Sequence, residues 1–217
     1  MAAIGETTSQ LALRDPDVRL MVRVRQDEPG AFEELVEKYQ HRLVAVLHHL
    51  VGNAEEAEDL AQEVFLRVYR ARQKYRARAK FSTWLFTIAN NLASNALRSR
   101  KRKPQVPLDV RDSGPLGPRP AEQLVRDRAS QPGQHLQQKE MAALVRQAVE
   151  GLNERQRTAV VLNKFEDMNY AEIAEVMGLT TKAVKSLLNR ARVNLRLVLQ
   201  PYIYMEGDSV SQPPTDD

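Results

Sequence analysis

The sequence predicts an all-α protein: two small helical domains joined by a flexible linker, the C-terminal one a helix-turn-helix. Three observations carry this expectation. Apolar residues recur at helical spacing in several segments on both sides of residue 104. The stretch 104–135 interrupts the pattern with six of the eleven prolines and three of the nine glycines, a linker composition. Beyond it, counting from Tyr170, Ala174 is fifth, Gly178 ninth and Val184 fifteenth, the spacing of two helices crossing through a tight turn.

The chain divides into a polar tail over 1–14, a first domain over 15–103, the linker over 104–135, a second domain over 136–200 and a tail over 201–217. Asp15-Pro16 reads as an N-cap followed by proline at the first helical position, with Val18, Met21, Val22 and Val24 turned inward until Pro29-Gly30. From Ala31 to Val51 a long helix carries Phe32, Leu35, Val36, Tyr39, Leu43, Val46, Leu47 and Leu50 on one face, and Gly52 ends it. Asn53, with Glu56 three residues later, reads as a capping box for the next helix, whose inner stripe is Ala57, Leu60, Ala61, Val64, Phe65 and Val68.

A basic turn over 75–80 leads to a fourth helix with Ser82 as its expected cap and Leu85, Ile88, Ala89, Leu92 and Ala96 inward. In the linker, Leu124 and Val125 could seed a short helix. The second domain places Met141, Leu144, Val145, Ala148 and Val149 on one stripe, then Ala159, Val160, Leu162 and Phe165 behind an Asn153 cap with Gln156 three residues on. In the helix-turn-helix, Ala174 is the small residue where helices touch and Gly178 supplies the positive φ of the turn. Val184, Ile173, Val176 and Leu188 close the core, and Thr180 or Thr181 caps the second helix.

Composition excludes more than it proves. A hydrophobic fraction of 42% with 28% charged residues suits a soluble chain with a core, and a net charge of +4 makes local clusters more informative than the sum. The absence of cysteine removes disulfides and thiolate metal sites. His41, His48, His49 and His135 lack the carboxylate company of a metal or acid-base site, so neither a cofactor nor a metal is expected, and no nucleophile sits beside a base. With no secretory signal and no apolar run of membrane length, the expected location is the cytoplasm, without membrane insertion.

The charge pattern is where function begins to show. Five carboxylates lie between Glu55 and Glu63, whereas from Val64 to Leu108 there are twelve Lys or Arg and no acidic residue. The first group suits a protein partner, the second a phosphate backbone. Asp59, Gln62, Glu63 and Leu66 fall on a helix face beside the buried stripe and so remain free for that partner; an ordinary solvated acidic face is the plainer alternative. Trp84 and Phe86, with Asn90, Asn91 and Asn95 and basic residues at both ends, offer the stacking surfaces, amides and charge that hold unpaired nucleotides. Trp84 at helical spacing beside Leu85 and Ile88 fits a core position better than a melting wedge. On the last helix Thr181, Lys182, Lys185, Ser186, Asn189 and Arg190 form an exposed face suited to the major groove, against the plainer reading of a generic basic α-hairpin.

The run DLAQEVFLRVYRA followed by F-x-x-W-L-F-x-I-A-x-N resembles the second conserved region of bacterial sigma factors, most closely the small extracytoplasmic-function (ECF) type. The resemblance covers Asp15 to Lys103 and returns over Leu136 to Leu199 as the fourth conserved region. It implies a factor that binds core RNA polymerase, recognises the −10 and −35 promoter elements and assists melting. Carried over by position, Asp59, Gln62 and Glu63 meet the β′ clamp, while Phe65, though on a matching position, lies on the apolar stripe and reads as core. Asn91, Asn95 and the loop from Arg76 through Arg78 and Lys80 to Phe81 match the region that captures the −10 strand. Arg98, Arg100, Lys101 and Lys103 read as backbone contacts. Lys185, Ser186, Asn189 and Arg190 fall on the part of the recognition helix that reads the −35 element, in a domain that also meets the β flap.

Leu187 departs from the arginine that many relatives carry there, so the promoter preference does not transfer. The resemblance also implies an anti-sigma protein that masks both domains, and nothing in the residues identifies it. A helix-turn-helix regulator acting on duplex DNA alone would explain only the C-terminal half; a recombinase would need an active site that the sequence lacks. A mimic that titrates an inhibitor would need no groove contacts, and the basic DNA-facing residues argue against it.

Overall fold

The computed structural model describes residues 15–102 and 132–205, with side chains excluded at 132–140 and 203–205. The N-terminal tail, nearly all of the linker with Leu124 and Val125, Lys103 and the end after Met205 lie outside the described residues, as does the side chain of His135.

The described chain is all helical. The first set comprises α1 (Pro16–Arg25), α2 (Ala31–Val51), α3 (Ala54–Ala71), a 3-10 turn (Arg72–Lys74) and α4 (Phe81–Arg102). The second comprises α5 (Pro132–Glu150), α6 (Glu154–Phe165), α7 (Tyr170–Met177) and α8 (Thr181–Met205). Boundaries follow local chemistry. The Asp15 carboxylate accepts the Asp17 N–H ahead of Pro16, and Gly52 closes α2 at φ 76°, a left-handed turn that a Cβ would strain.

Several expected caps differ in detail. α4 starts at Phe81, so Ser82 lies inside its first turn; the Phe81 N–H donates to the Asp15 carboxylate at 3.2 Å instead. Asn53 and Asn153 each accept the N–H three residues on, but neither box closes from the far side. Glu56 pairs with Arg100 at 3.5 Å, and the Gln156 carbonyl accepts from Asn194 at 3.3 Å. A reciprocal box forms where none was read: Asn169 accepts from Glu172, whose carboxylate accepts the Asn169 N–H. Thr180 rather than Thr181 caps α8, accepting the Ala183 N–H at 3.2 Å.

The core of the first set contains the stripes read from the sequence: Val18, Met21 and Val24, Leu35 to Leu50 along α2, Ala57 to Val68 along α3, and Leu85, Ala89 and Leu92. Phe86 belongs there too, 1% exposed, so it cannot stack on a nucleotide. Phe165 and Val145, expected inward, are 46% and 41% exposed; the Phe165 ring leans on His49 at 4.6 Å. α5 begins within the stretch read as linker, and α8 runs as one helix past Leu199, with Pro201 inside it.

The two sets do not stand apart as a long tether would allow. α7 lies along α4 and α6 along α2, and the buried residues form one continuous cluster from Val18 to Ala191. Arg42 bonds to Glu166 at 2.5 Å, Lys80 to Glu172 at 2.8 Å, and the Arg157 guanidinium donates to the Leu50 carbonyl at 3.3 Å.

Candidate polymerase and nucleic-acid interfaces

α3 presents the first candidate surface. Because Ala57, Ala61, Val64, Phe65 and Val68 are buried, the neighbouring strip is forced outward: Asp59 and Gln62 are exposed, and Leu66 is 48% exposed beside them. Glu63 is half-buried and bonded to Arg67 at 2.8 Å, one helical turn on. Tyr69, 42% exposed, continues the strip, with the Arg72 guanidinium 3.9 Å from its ring centre and Phe32 packed at 4.9 Å. An apolar strip edged with carboxylates can bury surface against a basic, partly apolar partner.

The loop from Lys74 to Lys80 and α4 form the second surface. Tyr75 and Phe81 are buried anchors, and the half-buried Trp84 packs on them at 4.9 and 6.0 Å between ring centres. Burial pushes the Tyr75 hydroxyl well above its ordinary pKa. A cavity of about 500 Å³ opens here, lined by Lys74, Tyr75, Arg76, Arg78 and Trp84, with Glu175 on its other wall. Trp84 is therefore both a packed residue and a cavity wall. Arg76 and Arg78 are exposed; Lys80 is exposed but bonded to Glu172, a hydrogen bond that raises its pKa.

Further along α4, Asn91 and Asn95 are exposed, whereas the half-buried Asn90 donates to the Val176 carbonyl at 3.4 Å. Arg98 turns back to the Ser94 carbonyl, Arg100 donates to the Val51 carbonyl and pairs with Glu56, and Lys101 lies 3.6 Å from Glu154. The basic end of α4 thus holds carbonyls and carboxylates of its own chain.

α8 provides the third surface. Val184, Leu188 and Ala191 are buried, which leaves Thr181, Lys182, Lys185, Asn189 and Arg190 exposed and Ser186 half-buried on the outer face. Arg190 donates to the Ser186 hydroxyl at 3.1 Å. Gly178 makes the turn before α8 at φ 62°. Leu187 is half-buried against the core, so the residue at this departure from the resemblance serves packing.

Comparison with known proteins shows the family. The family models for Sigma-70 region 2 and Sigma-70, region 4 match residues 35–103 and 142–195. The RNA polymerase sigma-H factor of Pseudomonas aeruginosa is 36% identical over 194 residues, which cover 88% of this chain and 97% of that protein. The chain belongs to the sigma-70 family. It is a sigma factor of the ECF type, 32% identical to SigW of Bacillus subtilis over 82% of this chain and 94% of that one, and 31% identical to the sigma-E factor of Escherichia coli over 86% and 96%. Its fold is shared with RpoE in complex with the anti-sigma factor NepR from Bartonella quintana (TM-score 0.59, 23% identity, 79% of this chain and 98% of that one). It is also shared with CnrH in complex with the cytosolic domain of CnrY (TM-score 0.58, 20% identity, 90% and 100%).

In this sigma factor the expected residues fall into three surfaces, and the first two share α3 and α4 of one helical set. Sequence reasoning missed four residues that join the sets, Arg42, Glu166, Glu172 and Glu175, and grouped Asn90 with the nucleotide-holding amides although its side chain donates across the seam to Val176. The Asn169–Glu172 box was the one legible signal, since it fixes where Glu172 points. Among the described residues no group of His, Cys, Asp and Glu could hold a metal ion, and no helix is long and apolar enough to cross a membrane.

Proposed function

We propose that this ECF sigma factor docks on core RNA polymerase through the α3 strip, with Asp59, Gln62 and Glu63 meeting the β′ clamp. The loop residues Arg76, Arg78 and Lys80, with Asn91 and Asn95, hold the non-template strand of the −10 element. Arg98, Arg100 and Lys101 exchange their intrachain partners for its phosphates. The outer face of α8, from Thr181 and Lys182 through Lys185, Ser186, Asn189 and Arg190, enters the major groove at the −35 element, and the second set also meets the β flap. In this reading the functional divisions are 15–103 and 136–200.

The observation that carries the reading is the opposed charge of two outward faces: carboxylates beside exposed Leu66 on α3, and lysines and arginines on α8 with no acid among them. A clamp contact at one end and a groove contact at the other select a promoter by avidity, each contact being weak alone. Melting follows because bases leaving the stack are received by the basic loop and its cavity, offsetting an unstacking cost of a few kcal/mol per step. The chain performs no covalent step and works in the cytoplasm, where polymerase is. One solved neighbour, RpoE, is in complex with the anti-sigma factor NepR, which supports a regulator of that kind for this chain as well.

Run-off transcription with purified core polymerase on a fragmented genomic library tests the proposal. Specific transcripts appearing only when the chain is added are expected, and their start sites give the promoter. No stimulation over core polymerase alone would overturn it.

A further inference from the structure

The turn between α1 and α2 reaches across to the base of the basic loop. Asp27 stands in that turn at φ 53°, in the left-handed region that Asp tolerates better than most residues. Its backbone is fixed there: the Asp27 N–H donates to the Val24 carbonyl at 3.1 Å, and the Arg23 guanidinium, bonded to both Glu28 and Glu34 at 2.8 Å, ties the corner to α2. The side chain aims both oxygens at the 3-10 turn over Arg72–Lys74. Oδ1 accepts from the Arg72 guanidinium at 2.6 Å and Oδ2 from the Gln73 amide at 2.9 Å, while the same amide donates to the Arg25 carbonyl at 3.0 Å.

That 3-10 turn is the joint between two surfaces. On one side Arg72 lies on Tyr69, 3.9 Å from its ring centre, and donates to the Tyr69 carbonyl at 3.0 Å, at the end of the α3 strip. On the other side the Arg72 carbonyl accepts the Tyr75 N–H at 3.1 Å, and the buried Tyr75 is the ring on which Trp84 packs at 4.9 Å. The exposed cations Arg76 and Arg78 follow at once. Arg72 itself is held by Asp27 and Tyr69, so its guanidinium is committed within the chain. No residue of the 3-10 turn is buried. The bonds to Asp27 and Arg25 therefore set the heading on which the chain enters the loop.

We propose that Asp27 is a positioning residue for strand capture: it locks the Arg72–Gln73 turn to the α1–α2 corner, so that Arg76 and Arg78 stand at a fixed place relative to the docking strip on α3. The proposal rests on the strand-binding role given to that loop above. Asp27 touches neither polymerase nor DNA and acts through Arg72 and Gln73. An unpaired strand finds the cations for its phosphates already in place, so less conformational freedom is lost when it binds. Without the clasp the same cations remain, but the strand itself must order the loop that carries them.

The test uses holoenzyme assembled from core polymerase and the full chain, on the strongest promoter that run-off transcription yields. Asp27→Gly removes the carboxylate while suiting the left-handed φ, so the turn keeps its backbone. Asp27→Asn keeps an oxygen for Arg72 and also tolerates that φ. Gln73→Ala, at an exposed position, opens the clasp from its other side. Each is also combined with Arg76→Ala and Arg78→Ala, which remove the cations that the clasp positions. Urea unfolding, affinity for core polymerase, closed-complex affinity and the rate of promoter opening, followed by permanganate reactivity of unpaired thymines, are measured for all.

Promoter opening about three- to tenfold slower is expected for Asp27→Gly, the range for losing exposed charge-assisted bonds, with unfolding, polymerase affinity and closed-complex affinity at parent values. Asp27→Asn should recover most of the rate and Gln73→Ala should lose less of it. With Arg76 and Arg78 already replaced, none of the three should slow opening further, because the effects of coupled residues do not add. Opening at the parent rate by both Asp27→Gly and Gln73→Ala, or an equal loss with and without the loop cations, overturns the proposal while leaving the strand-binding role intact. A loss shared by unfolding or polymerase affinity assigns Asp27 to the fold alone and overturns it too. If Arg76→Ala with Arg78→Ala opens the promoter as fast as the parent, the strand-binding role falls and the proposal with it.

Discussion

The Asp15 carboxylate joins the starts of two helices: one oxygen accepts the Asp17 N–H at 2.9 Å, opening α1, and the other accepts the Phe81 N–H at 3.2 Å, opening α4. Phe81 is fully buried and packs on Tyr39, whose hydroxyl donates to Asp17 at 2.6 Å. One carboxylate thus sets the end of the basic loop against the entry of the chain. Asp15→Ala should cost about 1–2 kcal/mol in urea unfolding, at the upper end for a single cap because two helices lose an acceptor. Asp15→Asn, which keeps one carbonyl acceptor, should lose less. Equal stability of the Ala variant and the parent would show that water replaces the carboxylate at no cost.

This double role marks the boundary of what was legible in the sequence. Asp15-Pro16 reads as a helix start because capping is local, and the stripes of α1 to α4 read correctly because helical period is local. That the same Asp15 reaches Phe81 depends on how α1 packs, which no window of neighbouring residues contains. Ser82 was therefore the natural choice of cap. Phe165 and Val145 fail for the same reason: their spacing is helical, but the surface each faces belongs to another element or to solvent. That Thr181, Lys182, Lys185, Asn189 and Arg190 are exposed on α8 was legible because its buried side, Val184 and Leu188, fixes the opposite side. The seam between α4 and α7 was not, since Glu172 and Glu175 look like ordinary solvated acids until the two sets are seen together.

Glu166 gives that seam a pH dependence. Its side chain is 2% exposed, and burial raises its pKa above the usual carboxylate range, against the pull of Arg42 and with a smaller push from Asp167. Burial would lower the Arg42 pKa, but Glu166 outweighs it and the net shift is upward. A carboxyl whose folded pKa lies above its unfolded one favours the folded form in acid, and that contribution is lost as pH rises from the unfolded pKa through the raised folded one. Arg42→Ala leaves the ionised carboxylate buried without its partner, at a cost of about 1–3 kcal/mol near neutrality. The deficit should shrink near pH 4, where Glu166 takes up a proton and needs no counter-charge. Urea unfolding of the variant and parent at both pH values checks this; a deficit independent of pH would assign the loss to packing.

The clamp assignment predicts a separation of binding from folding. Asp59 is exposed and Glu63 pairs with Arg67 on its own helix, so Asp59→Lys with Glu63→Lys should leave stability within about 0.5 kcal/mol of the parent, as for surface substitutions. Association with core polymerase should fall at least tenfold, because like charges would then oppose a basic partner surface. Co-sedimentation at low and high salt measures this. Undiminished association would place the docking surface elsewhere.

Arg190 tests the groove assignment at a single side chain. Its guanidinium donates to Ser186 one turn earlier, so the side chain lies along the outer face of α8 rather than folding back onto the core. If it reads a guanine edge, Arg190→Ala should weaken binding of the holoenzyme to its upstream element by about 1–3 kcal/mol and relax preference at one base position. If it only neutralises a phosphate, affinity should fall alike on all sequences and the salt dependence should decrease by about one ion. Mobility shifts on the parent element and on single-base variants of it, run at two salt concentrations, separate the outcomes, since the base contact changes the ranking of sequences and the phosphate contact changes only the slope.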